Sequence, residues 1–492
     1  MAQSCHKKVS VNYEYAAPVA AKGFVGIDSV GFVLDGEPWF PLMLNYKAEI
    51  RRVGDSIEVV PASYYHVASE NSSEYRKQDC LRTSTMREHF DTIAAWGFNA
   101  IRLCLDVLDR DMDSAAMMRA TRRAIEMADS VGLHVMLLTK APFDPYWQSY
   151  TKGLLRTLGD MPALWAYDFM NEPLYFDPVP DRPKEEAIAI VGEWCSWVRQ
   201  YAPHQLFTVS TAEPIEVFEW DPSMLPIDFV EMHTYHPLRV CSEMWWYSHY
   251  CGKPWMVGET GLPADNDSVP YLWQADFMWW THRFAEINGA AGYGWWEFQD
   301  CPAGVNFEAQ YTGLCDKNGI RKPAANMVIE LRRTCMGMCD ADGKTPVNYY
   351  NMLAYSNIRL TGKVVDNHGN PVEGAVIRGW NDDWLVGMNT YSDREGRFTL
   401  FSNDYNVHFE VSAPGMSREK FDRRNIKYKN IGNIDPNNLP DRQREYQQID
   451  YRPYLNHEFD IITPFSLFFD STHFNRYSLD GEMGTIKLKP IR

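Results

Sequence analysis

From about residue 24 to 335 the chain alternates short apolar runs with amphipathic stretches of helical period. The runs are WFPLMLNY (39–46), FNAIRLCL (98–105), HVMLLTK (134–140), LWAYDFMNEP (164–173), QLFTVST (205–211), DFVEMHTYHP (228–237), PWMVGETG (254–261) and AGYGWWEFQD (291–300). Between them stand segments such as TMREHFDTIAAWG, AAMMRATRRAIEMADSVG and EEAIAIVGEWCSWVRQYA, whose apolar residues recur every three or four positions. KPAANMVIELRR (322–333) closes the series. Near-continuous apolar strands alternating with helices predict a parallel sheet covered on its outside. Eight such units predict an α/β fold of the (β/α)8 TIM-barrel type over residues 24–345. A doubly wound open sheet is the alternative, and no glycine-rich phosphate loop follows the first strand to support it. The stretch from the first run to about residue 83 is expected to be a long polar loop.

The pattern changes after residue 345. IRLTGKVVDNHGNPVEGAVIRGW alternates in β fashion around a Gly-Asn-Pro turn, and TYSDREGRFTLFS reads as two strands around Asp-Arg-Glu-Gly. Residues 346–492 are therefore expected to form a small all-β sandwich, interrupted by a polar loop at about 422–453. Residues 1–23 read as a lead-in, loosely ordered over about the first 20.

In a barrel the chemistry sits at the C-terminal ends of the strands. Those ends carry Asn45 and Tyr46, Arg102, Asn171 and Glu172, His233 and Tyr235, Glu259, and Trp296. Strands four and seven lie on opposite sides of an eight-stranded mouth, so Glu172 and Glu259 are expected to face one cleft. Two carboxylates flanking a bond suit glycoside cleavage, one as proton donor and the other as nucleophile or water activator. Pro173 fixes the backbone behind Glu172. Each residue also has a plainer reading. Glu172 could be a helix-start carboxylate, Glu259 a turn residue, Arg102 a structural ion-pair partner and His233 a core histidine. Trp295 and Trp296 point to opposite faces, so one of them belongs to the core. The same alternation separates His233 from His236 and argues against a metal pair. MWWYSHY (244–250) reads equally as a sugar-stacking wall or as loop packing.

Composition narrows the class. The 492 residues include 17 Trp and 27 Tyr, rings that suit both a core and a surface for stacking sugars. A net charge of −17 argues against nucleic acid or an anionic membrane as partner. No run is long enough to span a bilayer. The ten Cys form no CxxC pairs, so no structural zinc is expected. Cys241 with Cys251, or Cys301 with Cys315, would suit disulfides in an exported protein. No basic cluster beyond Arg102 is visible, which favours a neutral glycan.

The Asn-Glu-Pro at the end of strand four and the Gly-Glu-Thr-Gly at the end of strand seven resemble the clan A glycoside hydrolases, which include cellulase/mannanase and β-galactosidase/β-glucuronidase families. The resemblance covers about 310 residues. It implies Glu172 as acid/base and Glu259 as nucleophile, with retention of configuration and no cofactor or metal. It further implies that Arg102 in FNAIRL binds the nucleophile and that Asn171 bonds a sugar 2-hydroxyl. His233 and Tyr235 in HTYHP would contact sugar and nucleophile, and Trp296 in WEFQD would floor the sugar site. FVLDGEPWFPLMLNY resembles the clan's usual lead into strand one. At the end of strand three the sequence departs from the cellulase-type pattern, which often has a His there; LTKAPFD has none. The C-terminal region resembles the carboxypeptidase regulatory-like, transthyretin-like sandwich through Gly362–Asp366, Gly369–Ala375 and Asp393–Phe398. That implies an accessory module without chemistry of its own. Such modules are common in exported bacterial proteins, which favours export; MAQSCHKKVSVNYEYAAP has no apolar signal core, and a cytoplasmic location is the alternative.

The expected function is a retaining β-glycoside hydrolase acting on a β-linked poly- or oligosaccharide, with endo-glycanase action favoured. An exo-acting β-glycosidase of the same clan is the first alternative. A non-catalytic carbohydrate-binding protein on an inactive barrel is the second.

Overall fold

The structure is a computed structural model that describes residues 15–62, 83–107, 109–235, 240–267, 269–301, 310–334, 358–380, 388–402, 406–434 and 477–491. Eight parallel strands follow the predicted runs: β1 (Leu42–Val53), β2 (Ala100–Val107), β3 (His134–Leu138), β4 (Leu164–Asp168), β5 (Leu206–Thr208 and Ser210–Thr211), β6 (Val230–His233), β7 (Trp255–Glu259) and β8 (Tyr293–Trp295). Each pairs with the next, and β8 pairs with β1. The two halves of β5, split at Val209, pair with β4 and β6 and so close the ring.

Helices α1 (Thr83–Trp96), α2 (Ser114–Asp129), α3 (Pro145–Leu158), α4 (Lys184–Tyr201), α5 (Val240–Tyr250), α6 (Tyr271–Ile287) and α7 (Ala324–Thr334) cover the outside. Helix α2 shows the reason. Asp113 caps it by accepting from the Ala115 N–H at 3.1 Å, and Met117, Ala120, Thr121, Ala124, Ile125 and Ala128 form its buried face. At α3 Asp144 caps the Trp147 N–H at 2.9 Å, with Pro145 at the first position.

Side chains alternate along a strand, so Met43 and Asn45 share a face, as do Ala100 and Arg102. The interior is layered accordingly. Met43, Ala100, Met136, Ala166, Leu206 and Met256 belong to one apolar cluster near the strand starts. A small sheet (Val25–Ile27, Phe32–Leu34, Glu37–Pro38) packs Val25 and Phe32 onto that cluster. Phe32 meets Trp165 and Phe229 edge-on at ring distances of 5.0 and 4.9 Å. The end opposite the strand C-termini is thus plugged with rings. Above this layer the interior turns polar.

Two stretches expected to be loop are structured. β1 runs on to Val53, turns at Gly54 (φ 59°) and returns as Ser56–Pro61. Residues 15–20 are tied down: Tyr15 donates to buried Asp228 at 2.7 Å, and the Val19 N–H bonds to the Pro203 carbonyl at 2.7 Å. Among the described residues no helix is long and apolar enough to cross a membrane.

The C-terminal region forms two four-stranded sheets. Its strands are β9 (Ile358–Val365), β10 (Val376–Trp380), β11 (Met388–Tyr391), β12 (Arg397–Ser402), β13 (His408–Ser412), β14 (Glu419–Asp422), β15 (Lys427–Ile434) and β16 (Tyr477–Lys487). One sheet has the order β12-β9-β16-β15 and the other β11-β10-β13-β14. Leu360 and Leu400 of the first share a core with Ile377 and Val411 of the second, which makes a sandwich. The Asp-Arg-Glu-Gly turn carries the chain between sheets rather than closing a hairpin. Part of the expected polar loop is β15; residues 435–476 lie outside the described residues.

Candidate active site

The polar layer is built around Arg102, which is fully buried on β2. A buried guanidinium needs all its donors met. Nε and NH2 donate to Asp168 Oδ2 at 3.1 and 2.7 Å, and NH2 also reaches Asn171 Oδ1 at 2.8 Å and Ser210 Oγ at 3.1 Å. NH1 donates to Asn45 Oδ1 at 3.0 Å and to Glu259 Oε1. Asn45 in turn donates to the carbonyls of Gly258 and Trp295 at 2.9 and 3.0 Å, tying β1 to β7 and β8. Burial opposes the charge of Arg102, while Glu231, Asp168 and Glu259 hold it on the ring of polar groups.

Glu172 follows β4 at the start of a helical turn, Pro173–Phe176. Its backbone is pinned on both sides: its N–H bonds to the Ser210 carbonyl of β5 at 3.0 Å, and its carbonyl accepts from Tyr175 and Phe176. The side chain makes no capping bond to that turn. Instead Oε1 lies 2.7 Å from His233 Nδ1. The plainer reading of Glu172 as a helix-start carboxylate therefore lacks the contact it requires.

Glu259 ends β7 and is 4% exposed. Arg102 donates to one oxygen and the Tyr235 hydroxyl to the other. Burial favours its neutral form, yet His233, Arg102 and Tyr235 outweigh burial and hold the carboxyl below its usual range. It is a carboxylate at neutral pH. His233 ends β6 with Nδ1 3.5 Å from Glu259 Oε2 as well. Burial opposes its charge too, but Glu259, Glu172 and Glu231 push the ring up to about 10.

One oxygen of Glu172, one of Glu259 and a ring nitrogen of His233 lie within 4.8 Å of one another. Nδ1 already hydrogen-bonds to Glu172, and the charged ring forms an ion pair with Glu259, which makes this an acid–base cluster rather than a cation site. Glu172 and Glu259 both open on a cavity of about 850 Å³ at the C-terminal mouth of the barrel. Asn171, Tyr235 and Trp296 line it. Asn171 commits its oxygen to Arg102, which leaves its amide as a donor. Trp296 faces the cavity with Lys47 Nζ 5.1 Å from its ring centre, while Trp295 is fully buried against Phe277.

The fold thus brings all seven sequence-derived site residues to one mouth. It also adds Asp168 at the end of β4, Glu231 inside β6 and Ser210 in the second half of β5, and it places Asn45, expected at the end of the first strand, inside β1. A charged residue in a buried strand is the available signal, since it needs a partner and Arg102 is a fully buried cation on β2. Lys47, Arg110 and Lys140 also line the cavity, distant in sequence but gathered by β1, β2 and β3. That corrects the expectation of no basic cluster beyond Arg102. Cys251, Cys301 and Cys315 form no disulfide, so neither expected pairing is present. The aromatic run 244–250 lies on α5, where Trp246 is buried and donates to the Gly374 carbonyl of the sandwich at 2.8 Å. Trp246 therefore packs against the sandwich rather than lining the cavity. His236 lies outside the described residues.

No known family's sequence profile matches the chain, and no curated protein matches it. Among solved structures, it is similar to a GH5_18 from Streptomyces cattleya in complex with GlcNAc. The identity is 17%, covering 67% of this chain and 85% of that one, with a TM-score of 0.47. A GH5_18 from Bifidobacterium longum subsp. infantis is similar at 15% identity over 59% of this chain and 80% of the other, TM-score 0.45. An exo-beta-1,4-mannosidase from Opitutaceae bacterium strain TAV5 is similar at 19% identity over 62% of each chain, TM-score 0.44. At these values the likeness carries no argument about this chain, whose site is read from its own geometry.

Proposed function

We propose that this protein is a retaining β-glycoside hydrolase acting by double displacement. The observation that carries the reading is the pair Glu172 and Glu259, with oxygens within 4.8 Å of each other in one cavity. Retaining enzymes hold their carboxyl groups about 5–5.5 Å apart, whereas inverting ones leave about 6.5–9.5 Å for a water molecule. Glu259, kept ionised by Arg102, His233 and Tyr235, attacks the anomeric carbon. Glu172 protonates the departing oxygen. The glycosyl–Glu259 ester is then cleaved by water, whose proton Glu172 accepts. Asn171 is placed to donate to a sugar hydroxyl beside the reacting carbon, and Trp296 offers a face for the ring.

The cavity extends beyond the catalytic pair along the ends of β1, β2 and β3, and its volume is near the upper end for a site enclosing one small ligand. That supports a substrate of several rings and endo action. Its mixed lining of Lys47, Arg110, Lys140 and Asp106 suits polar or charged glycans. The test is a product screen by mass spectrometry over β-glucans, mannan, xylan, galactans, uronic and sulfated glycans and aryl β-glycosides. Wild type is expected to cleave one class, and Glu172→Gln and Glu259→Gln to fold normally with turnover lower by about a thousandfold or more. Oligosaccharides would support endo action and monosaccharide exo action. Near-wild-type turnover by either variant would overturn the assignment, and glycan binding without product would leave a binding protein.

A further inference from the structure

One buried carboxylate takes no part in the steps above. Glu231 is fully buried in β6, two residues before His233 and on the same face of the strand. A buried charge without partners costs several kcal/mol, at the order-of-magnitude level, so its surroundings have to supply cations. Glu231 Oε1 lies 3.1 Å from Arg102 Nε and 3.7 Å from His233 Nε2. Neither oxygen has a hydrogen-bond partner, so it meets these groups as ion pairs. The adjoining strand makes room for it: a Cβ at Gly258 would sit 2.2 Å from Glu231 Cγ.

Arg102 and His233 are the two cations that hold the catalytic pair. Arg102 donates to Glu259, and His233 Nδ1 bonds to Glu172. We propose that Glu231 is a positioning residue that joins these two supports, holding the His233 ring charged with Nδ1–H directed at Glu172 and anchoring it to the guanidinium that holds Glu259. The inference rests on the glycosidase reading for its consequence. With Nδ1–H given to Oε1 of Glu172, the other carboxyl oxygen is left to carry the proton passed to the leaving group. A neutral ring that keeps its proton on Nε2 would turn Nδ1 into an acceptor, and it would compete for that proton.

The groups facing the ring are Glu172 from the end of β4, Glu231 from its own strand and Glu259 from β7. Arg102 stands behind Glu231, and the Tyr235 hydroxyl lies on Glu259. Burial favours the neutral ring, but the three carboxylates push His233 up to about 10. Removing one negative neighbour lowers that value, so the ring loses its proton at lower pH. The sign is fixed: the charged ring persists below its raised value, and its loss moves down the pH scale in the variant.

Two measurements on full-length Glu231→Gln and Glu231→Asp test this. The first is the pH profile of kcat and KM on an aryl β-glycoside. Glu231→Gln is expected to lower kcat roughly tenfold or more with KM within about twofold. Its alkaline limb should move down by about one pH unit or more, while Glu231→Asp, which keeps the charge, stays near wild type. The second is 15N NMR of selectively labelled histidine rings, which needs no turnover. In wild type the His233 ring should keep both protons above about pH 8, and in Glu231→Gln it should lose one at lower pH. A folded Glu231→Gln with the wild-type profile and wild-type ring titration would overturn the proposal. So would a His233 ring that is neutral at pH 7 in wild type, a result that stands even if Glu231→Gln fails to fold. Should wild type turn over no glycoside, the glycosidase reading fails, and the NMR titration still decides the role of Glu231.

Discussion

Glu172 sits at φ 40° and ψ 73°, in the left-handed region that side chains with a Cβ avoid. The turn into Pro173 demands that conformation, and the Ser210 and Tyr175 bonds enforce it. A glycine there would relieve the strain, so its persistence in a glutamate fits a position held for chemistry rather than for stability. Both Glu172→Gly and Glu172→Ala remove the carboxylate, so comparing them isolates the backbone. Glu172→Gly is expected to be more stable than Glu172→Ala by about 1 kcal/mol in urea unfolding, the reverse of the order inside a helix. Equal stabilities, or a more stable alanine variant, would contradict the strained geometry. Glu172, Glu259 and His233 are legible in the sequence because each stands toward the end of an apolar run, and Arg102 because it is a cation inside one. Asp168 and Glu231 are harder to read because they are buried charges inside runs, meaningful only once β2 places Arg102 beside them.

At the level of elements, the apolar runs marked all eight strands because each strand is covered on both faces. The return strand Ser56–Pro61 escaped that test. It stands above the barrel rim, where KAEIRRV and SIEVVP mix charged with apolar positions and resemble loop. Helix α4 shows a different limit. It begins with Lys184, a cation where the helix dipole favours anions. The structure supplies the reason: Nζ is buried, 2.9 Å from Asp221 and from Ser412 Oγ and 3.2 Å from the Ala413 carbonyl. The Gly415 N–H completes the junction by donating to Asp221 at 2.8 Å. Lys184→Ala leaves Asp221 charged and buried without its cation. It is expected to destabilise the protein by about 3 kcal/mol in chemical denaturation. An unchanged midpoint would show that the junction contributes nothing.

Over the whole molecule, the sandwich is packed against the barrel and is not merely tethered to it. It meets the segments following β4, β5 and β6. Arg418 reaches Asp181 at 3.1 Å and Glu219 at 3.0 Å, and Lys420 reaches Asp181 at 2.6 Å. Asp181 lies on the loop that follows Glu172, so the sandwich braces the chain leaving the proposed acid. The ring plug closes the opposite end of the barrel and leaves the C-terminal mouth as the site of the 850 Å³ cavity. Fold and site thus support one central claim, cleavage with retention by carboxylates too close to admit an inverting water between them. The most direct test is 1H NMR of the anomeric proton in the first minutes of reaction, on whichever β-glycoside the screen shows to be cleaved. The account predicts that the β anomer appears first and the α anomer grows in only by mutarotation. First appearance of the α anomer would contradict it.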